Sequence, residues 1–261
     1  ITVHGYPSFR GKMIKESLKI VLKEFHESAL PRMIERKDLF NLAILDSPVN
    51  KVITIIGPRR AGKTYYLFQI IGKLLERKVR LTDIVYINFE DERILPMNAP
   101  DLQYILDAYF ELYGKDSTPL IFLDEIQNIT GWERFVRRIN EKGLQVFITG
   151  SNSRLLGREI ATSLRGRTLT YEIFPFSFRE YLVAKGIKPE KDALYGESRH
   201  GIRACYESYI FSGGYPEVVL SDDDRVKGRI AQDYFNAVFY KDLVERYRVK
   251  SSVLLKQFMN N

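Results

Sequence analysis

Eight consecutive residues, Gly57, Pro58, Arg59, Arg60, Ala61, Gly62, Lys63 and Thr64, have the types and spacing of a loop that holds phosphate. The glycines let backbone N–H groups turn toward an anion, and a helix starting at the end of the loop adds its partial positive charge. Lys63 offers a point charge to the β- and γ-phosphates of a nucleotide, the Thr64 hydroxyl suits Mg²⁺, and Tyr65 follows directly. A second stretch, LIFLDE at 120–125, is an apolar run ending on two carboxylates. Asp124 suits the metal through water, and Glu125 is placed to polarise an attacking water as a general base.

Further groups extend this constellation. In FITGSNS, Ser151 and Asn152 end an apolar strand, and Asn152 is the preferred candidate for orienting the water or sensing the γ-phosphate. Arg165 and Arg167, with Arg154 behind them, are candidates for the arginine that stabilises phosphoryl transfer, supplied by the same chain or a neighbour. Arg59 and Arg60 lie inside the loop and are candidates for touching phosphate or an adjacent subunit.

The elements that must position these groups follow from hydrophobic periodicity. KVITIIG, DIVYINFED, TPLIFLDEIQ, LQVFITGSNS and TLTYEIFPF read as strands, and helical patterns separate the first four of them. Such alternation predicts an α/β fold, three layers around a mainly parallel sheet. Ile14, Leu18, Val21, Leu22 and Phe25 recur at helical spacing before Pro31, and RMIERKDLFNLAIL reads as a further helix. After Pro175 the strand signals stop and three helical patterns follow. The expected organisation is an N-terminal segment over 1–30, a core over 31–174 and a helical part over 175–261. The first residue is not Met, and residues 1–12 are read as appended or upstream sequence.

Composition narrows the chemistry. The 261 residues are 45% hydrophobic with 16 Phe and 16 Tyr, ample for a core. Cys205 is the only cysteine, which excludes an internal disulfide, and three scattered histidines, His4, His26 and His200, argue against zinc. With no run of about 18 apolar residues and no signal-peptide pattern, a soluble protein of the reducing cytoplasm is expected, with no membrane partner. The net charge of +7 permits contact with nucleic acid, although acidic and basic residues are interleaved. SDDDRV at 221–226 reads as a loop and helix cap rather than a metal site.

Taken in order, IIGPRRAGKT, YINFEDERI, IFLDEIQN, ITGSNSRLL, GRTLTYEIFPFSFREYL and SGGYPEVV resemble the archaeal and bacterial AAA-type ATPases allied to the STAND nucleoside triphosphatases. The resemblance spans roughly residues 30–250. It implies a five-stranded sheet in the order 5-1-4-3-2 followed by a helical lid, ATP with Mg²⁺, and slow hydrolysis coupled to conformational change. It also implies that Pro216, in a Gly-x-Pro element, packs on adenine with help from Tyr215, and that Arg32 flanks the base from the N-terminal side. Members of that group usually continue into a winged-helix-like domain thought to bind DNA. The sequence ends at LLKQFMNN, about where that domain would begin, so the domain is expected to be cut off or absent, and DNA binding by analogy loses its support.

The leading expectation is therefore an Mg²⁺-dependent ATPase acting as a nucleotide-driven switch on an unknown protein partner or as a homo-oligomer. The alternative is a DNA-associated motor or loader using the basic helices WERFVRRINEK and RVKGRI. A small-molecule kinase is disfavoured, because no acceptor site is readable.

Overall fold

The structure is a computed structural model, and it describes residues 9–37, 40–151, 164, 166–188, 199–245, 249, 251, 254–255 and 257. Residues 1–33, 38–57 and 63–173 form one compact unit, and residues 34–37, 58–62 and 174–261 form a second.

The first unit is built on five strands, β1 (Val52–Gly57), β2 (Ile84–Asn88), β3 (Leu120–Asp124), β4 (Val146–Ser151) and β5 (Thr168–Glu172). Their order is β2-β3-β4-β1-β5, the predicted one, and all four pairings are parallel. Every residue of β1 is buried, as expected of a strand covered on both faces of a parallel sheet.

On one face, Val52, Ile56, Val85, Ile87, Leu123 and Ile148 meet helices α1 (Phe9–Glu27), α3 (Gln103–Tyr113) and α4 (Glu133–Glu141). Residues alternating with these present Phe122 and Phe147 to the other face, where the two rings stack 4.3 Å apart. Phe40 packs edge-on against Phe147 and Tyr171 on that face. Helix α2 (Lys63–Glu76) starts directly after the glycine loop and contacts β1 and β4.

Helix α1 reaches back to Phe9, so residues 9–12 are part of it. Arg10 pairs with Asp101 at 2.8 Å, and Gly11 lies so close to α3 that an added Cβ would stand 2.3 Å from the Tyr104 hydroxyl. At the other end of α1, His26 is fixed through both ring nitrogens. Nε2 donates to the Ile84 carbonyl at 2.7 Å, because a carbonyl can only accept, and Nδ1 then accepts from the Tyr113 hydroxyl at 2.6 Å. Burial holds this imidazole below the usual histidine pKa, so the fold favours the neutral ring.

The unfolded chain therefore binds a proton that the folded chain resists, and stability should fall as pH drops through about 6.5. Melting temperature followed from pH 7.5 to 5 should decline more steeply for the parent than for His26→Gln. Equal slopes would show that His26 carries none of the dependence.

The helix expected over RMIERKDLFNLAIL does not form. Residues 29–37 are irregular, and among the described residues of this segment only Leu42–Asp46 winds, as a 3₁₀ turn capped by the Asn41 side chain. Tertiary partners take the backbone and side chains that a helix would use: the Phe40 N–H donates to the Tyr66 hydroxyl at 2.9 Å, and Arg36 is buried.

The second unit contains α5 (Phe178–Ala184), α6 (Arg199–Ser212), α7 (Pro216–Leu220) and α8 (Asp224–Ala237), the last followed by a π-helical stretch, Val238–Glu245. A capping box of Ser177 and Glu180 starts α5, and the Asp223 carboxylate caps α8 by accepting from the Arg225 and Val226 amides. Phe176, Tyr181 and Val219 form a small core there. No helix among the described residues is long and apolar enough to cross a membrane.

Candidate functional site

The loop begins where β1 ends. Gly57 is obligatory for packing, since a Cβ there would stand 2.0 Å from the Ile173 carbonyl oxygen. Thr64 then lies in the first turn of α2, and its hydroxyl donates to Asp124 Oδ2 at 2.7 Å. The sheet register explains the meeting: β3 carries Asp124 to the same strand edge from which the loop leaves β1.

Asp124 is fully buried and held by three hydroxyls. Thr64 and Tyr86 donate to Oδ2, the latter at 3.0 Å, and Thr149 donates to Oδ1. Burial raises the Asp124 carboxyl above its usual pKa even so, because removal from water outweighs the three donors. Burial beside Asp124 likewise raises the Tyr86 phenol, which stays protonated and able to donate.

Glu125 sits in the left-handed region, at φ 52° and ψ 40°, a conformation that costs a non-glycine residue about 1 kcal/mol or more. Its N–H donates to Thr149 Oγ1 at 2.9 Å. Its carboxylate lies between Lys63, whose Nζ is 3.5 Å from Oε1, and the Gln127 amide, which donates to Oε2. Lys63 itself is buried, with 4% of its side chain exposed. A buried cation, a hydroxyl, a metal-type carboxylate and a second carboxylate are thus gathered within the first unit.

In the second unit, residues 58–62 of the loop have their own partners. Arg36 Nη1 donates to the Ala61 carbonyl at 2.7 Å. Arg60, at φ 61°, places its guanidinium 4.6 Å from the centre of the Tyr234 ring and 3.4 Å from Glu217 Oε2, and Tyr234 donates to Glu217 in turn. The Pro216 ring, at the first position of α7, lies against Gly62, where an added Cβ would be 3.7 Å from Pro216 Cγ. Tyr215 packs edge-on to Tyr234. Arg59 Nε is buried with no hydrogen-bond partner among the described residues, as suits a group that receives an anion. Tyr65 is half exposed.

Other candidates fall elsewhere. Arg167 precedes β5 and sits beside Val52 at the start of β1, so it lies at the sheet edge opposite the loop, where it pairs with Glu141. Within one chain it does not reach the phosphate loop, and the expectation of an arginine acting in cis is corrected for this residue. Arg32 is exposed, whereas Arg36 is the buried one. Asn152, Arg154 and Arg165 lie outside the described residues.

Sequence reading missed Thr149, Tyr86 and Arg36. Thr149 carried a signal: it is a polar residue inside an apolar strand, one step beyond the pairing of Leu123 with Ile148 and hence beside Asp124.

The donors at Asp124 suit Mg²⁺, which keeps several waters and takes only one or two protein oxygens. Thr64 Oγ1 and Asp124 Oδ2 stand next to each other, and no cluster of three or more His, Cys, Asp or Glu that could hold a metal ion exists among the described residues.

A parallel sheet in this order, with a glycine loop after β1 and an acidic end on β3, defines an α/β fold of the P-loop nucleoside triphosphatase type. Residues 49–182 match the AAA domain family, and the chain belongs to it. It is 39% identical to the uncharacterized protein MJ1544 of Methanocaldococcus jannaschii over 246 residues, covering 87% of this chain and 54% of the relative. An uncharacterized protein of Haemophilus influenzae is 33% identical over 229 residues, covering 86% of this chain and 54% of the relative. The chain thus spans about half the length of the curated relatives it matches. Among solved structures, the Saccharomyces cerevisiae Hsp104–ADP complex is similar with 14% identity and a TM-score of 0.46, over 89% of this chain and 35% of that one.

Proposed function

We propose that this chain binds ATP with Mg²⁺ and hydrolyses it, and that the nucleotide state sets the conformation of the helical lid, in the manner of the STAND-allied AAA ATPases. The observation that carries the reading is the contact of Thr64 with Asp124, with Lys63 and Glu125 beside it. Thr64 and Asp124 would hold Mg²⁺, Asp124 through water. Bound there, the ion would supply Lewis-acid stabilisation of charge on the phosphate oxygens. The backbone of 57–62 and Lys63 would bind the phosphates, and Glu125 would take up the proton of the attacking water. Asn152 remains the candidate for orienting that water. Arg165, or Arg167 from a second copy of the chain, would supply the arginine.

On the lid side, Pro216 and Tyr215 are proposed to meet the base. A switch requires ATP to bind the alternative lid positions with different affinity. Arg60, a loop residue that belongs to the helical unit together with its partners Glu217 and Tyr234, is the proposed point at which that unit would respond to bound phosphate.

The test is steady-state phosphate release with Mg-ATP, with and without single- and double-stranded DNA at fixed salt. Turnover indifferent to DNA is expected of a switch answering to a protein partner. Stimulation of several-fold, falling with salt, would replace it by the DNA motor reading that the net charge of +7 permits.

A further inference from the structure

Arg36 is a buried arginine whose guanidinium has more work than an ion pair. Nη1 donates to the Ala61 carbonyl at 2.7 Å, and Nη2 donates to the Phe174 carbonyl at 2.5 Å. Nε pairs with Glu180 Oε1 at 3.2 Å, and the plane lies over the Phe176 ring, 5.2 Å from its centre. Glu180 is held in turn, since its Oε2 accepts from the Ser177 amide and hydroxyl at 2.8 and 2.9 Å. The fork is therefore anchored on one side and reaches the phosphate loop on the other. A lysine has no planar fork with which to make these contacts together.

The contact with Ala61 has a consequence for Gly62. A trans peptide is planar, so its C=O and N–H point in opposite directions. Holding the Ala61 oxygen toward Arg36 therefore aims the Gly62 N–H the other way. Gly62 has φ +95°, which a glycine adopts freely and from which the peptide before it can also turn over. Turned over, that peptide would present a carbonyl oxygen in place of an N–H, and oxygen repels phosphate.

We infer that Arg36 is a positioning residue of the phosphate loop: its bond to the Ala61 carbonyl locks the 61–62 peptide so that the Gly62 N–H faces the triphosphate. The inference rests on the nucleotide-binding reading above. It makes anion affinity depend on a residue 25 positions before Ala61 that is itself anchored at the root of the helical unit.

The test compares the parent with Arg36→Met, Arg36→Lys and, as a stability control in the same unit, Leu182→Ala, which shortens a buried side chain. Each is measured for melting temperature, for Mg-ATP affinity by calorimetry, and for the Gly62 amide resonance in glycine-labelled protein. The parent's Gly62 amide should move downfield on adding Mg-ATP. Arg36→Met should weaken binding by about tenfold or more and lose that shift, as follows from removing one charge-assisted bond. Leu182→Ala should melt earlier yet keep both affinity and shift. If Arg36→Met does not fold, Arg36→Lys serves, with the same loss of shift expected.

Parental affinity and an intact Gly62 shift in a folded Arg36 variant would overturn the inference. So would an equal loss in Leu182→Ala at matched stability, which would make Arg36 only a structural tie. A parent that binds no nucleotide would remove the functional reading as well, whereas a binding parent with indifferent Arg36 variants removes this inference alone.

Discussion

Replacing Glu125 by glutamine should leave ATP bound and stop its turnover. The amide is the same size and can still accept the contact from Lys63, which lies 3.5 Å from Oε1 in the parent. The backbone is held independently of the side chain, by the Glu125 N–H on Thr149 Oγ1 at 2.9 Å. What is lost is the carboxylate's charge with its ability to take a proton; Gln127, whose Oε1 is buried with no partner among the described residues, can turn to accept from the new NH₂. A positioned general base contributes roughly 10²- to 10⁴-fold. Phosphate release should therefore fall by at least about 100-fold, while Mg-ATP affinity stays within about threefold of the parent. The left-handed backbone at Glu125 supports the choice of this carboxylate: strain of this kind persists where neighbouring groups impose it, and here Thr149 and the turn Ile126–Asn128 do so. Undiminished turnover in Glu125→Gln would remove Glu125 from the chemistry.

The parts of this arrangement that are legible in the sequence are those carried by contiguous residues. The loop 57–64 is one run of chain, and Asp124 and Glu125 end an apolar strand, so periodicity alone brings them to the same sheet edge. The strand order was legible only through the resemblance to the AAA-type ATPases, since a short apolar run does not say which strand lies beside it. Thr149 and Tyr86 were hidden for a different reason. Thr149 stands one step beyond the Leu123–Ile148 pair, and Tyr86 lies opposite Phe122, two residues before the partner of Asp124, so only the register brings their side chains to that carboxylate.

For Arg167, strand direction decides that it lies away from the loop within one chain. Parallel pairing puts the start of β5 beside Val52, a whole strand length from Gly57. Arg32, the residue that the resemblance implies beside the base, is exposed and lies in a segment that periodicity reads as a helix. The chain there is irregular, and what decides which arginine is buried is the distant set of acceptors on Ala61, Phe174 and Glu180, which no local pattern reveals.

Asp124→Asn should separate activity from stability. The carboxylate is fully buried, and hydrogen bonds to a charged group contribute about 1.5–3 kcal/mol each. Even with three such donors its pKa is raised, so burial outweighs them and the fold favours the uncharged form. An amide keeps the shape and one acceptor, and the freed hydroxyls of Thr64 and Tyr86 can turn to accept from its NH₂. The variant should therefore melt no earlier than the parent in metal-free buffer at neutral pH. Its turnover should fall by about 100-fold or more, as expected when the charge that holds the metal is lost. Raising Mg²⁺ should recover part of that loss.

Tyr86→Phe provides the contrast. It removes one of the two donors on Oδ2 and leaves the charge, so turnover at saturating Mg²⁺ should stay near parental while the Mg²⁺ concentration for half-maximal rate shifts by roughly tenfold, the usual scale for a group that orients a metal ligand. An Asp124→Asn protein that melts well below the parent would show that the carboxylate is chiefly a structural anchor for the three hydroxyls. Full activity in that variant would place the metal elsewhere.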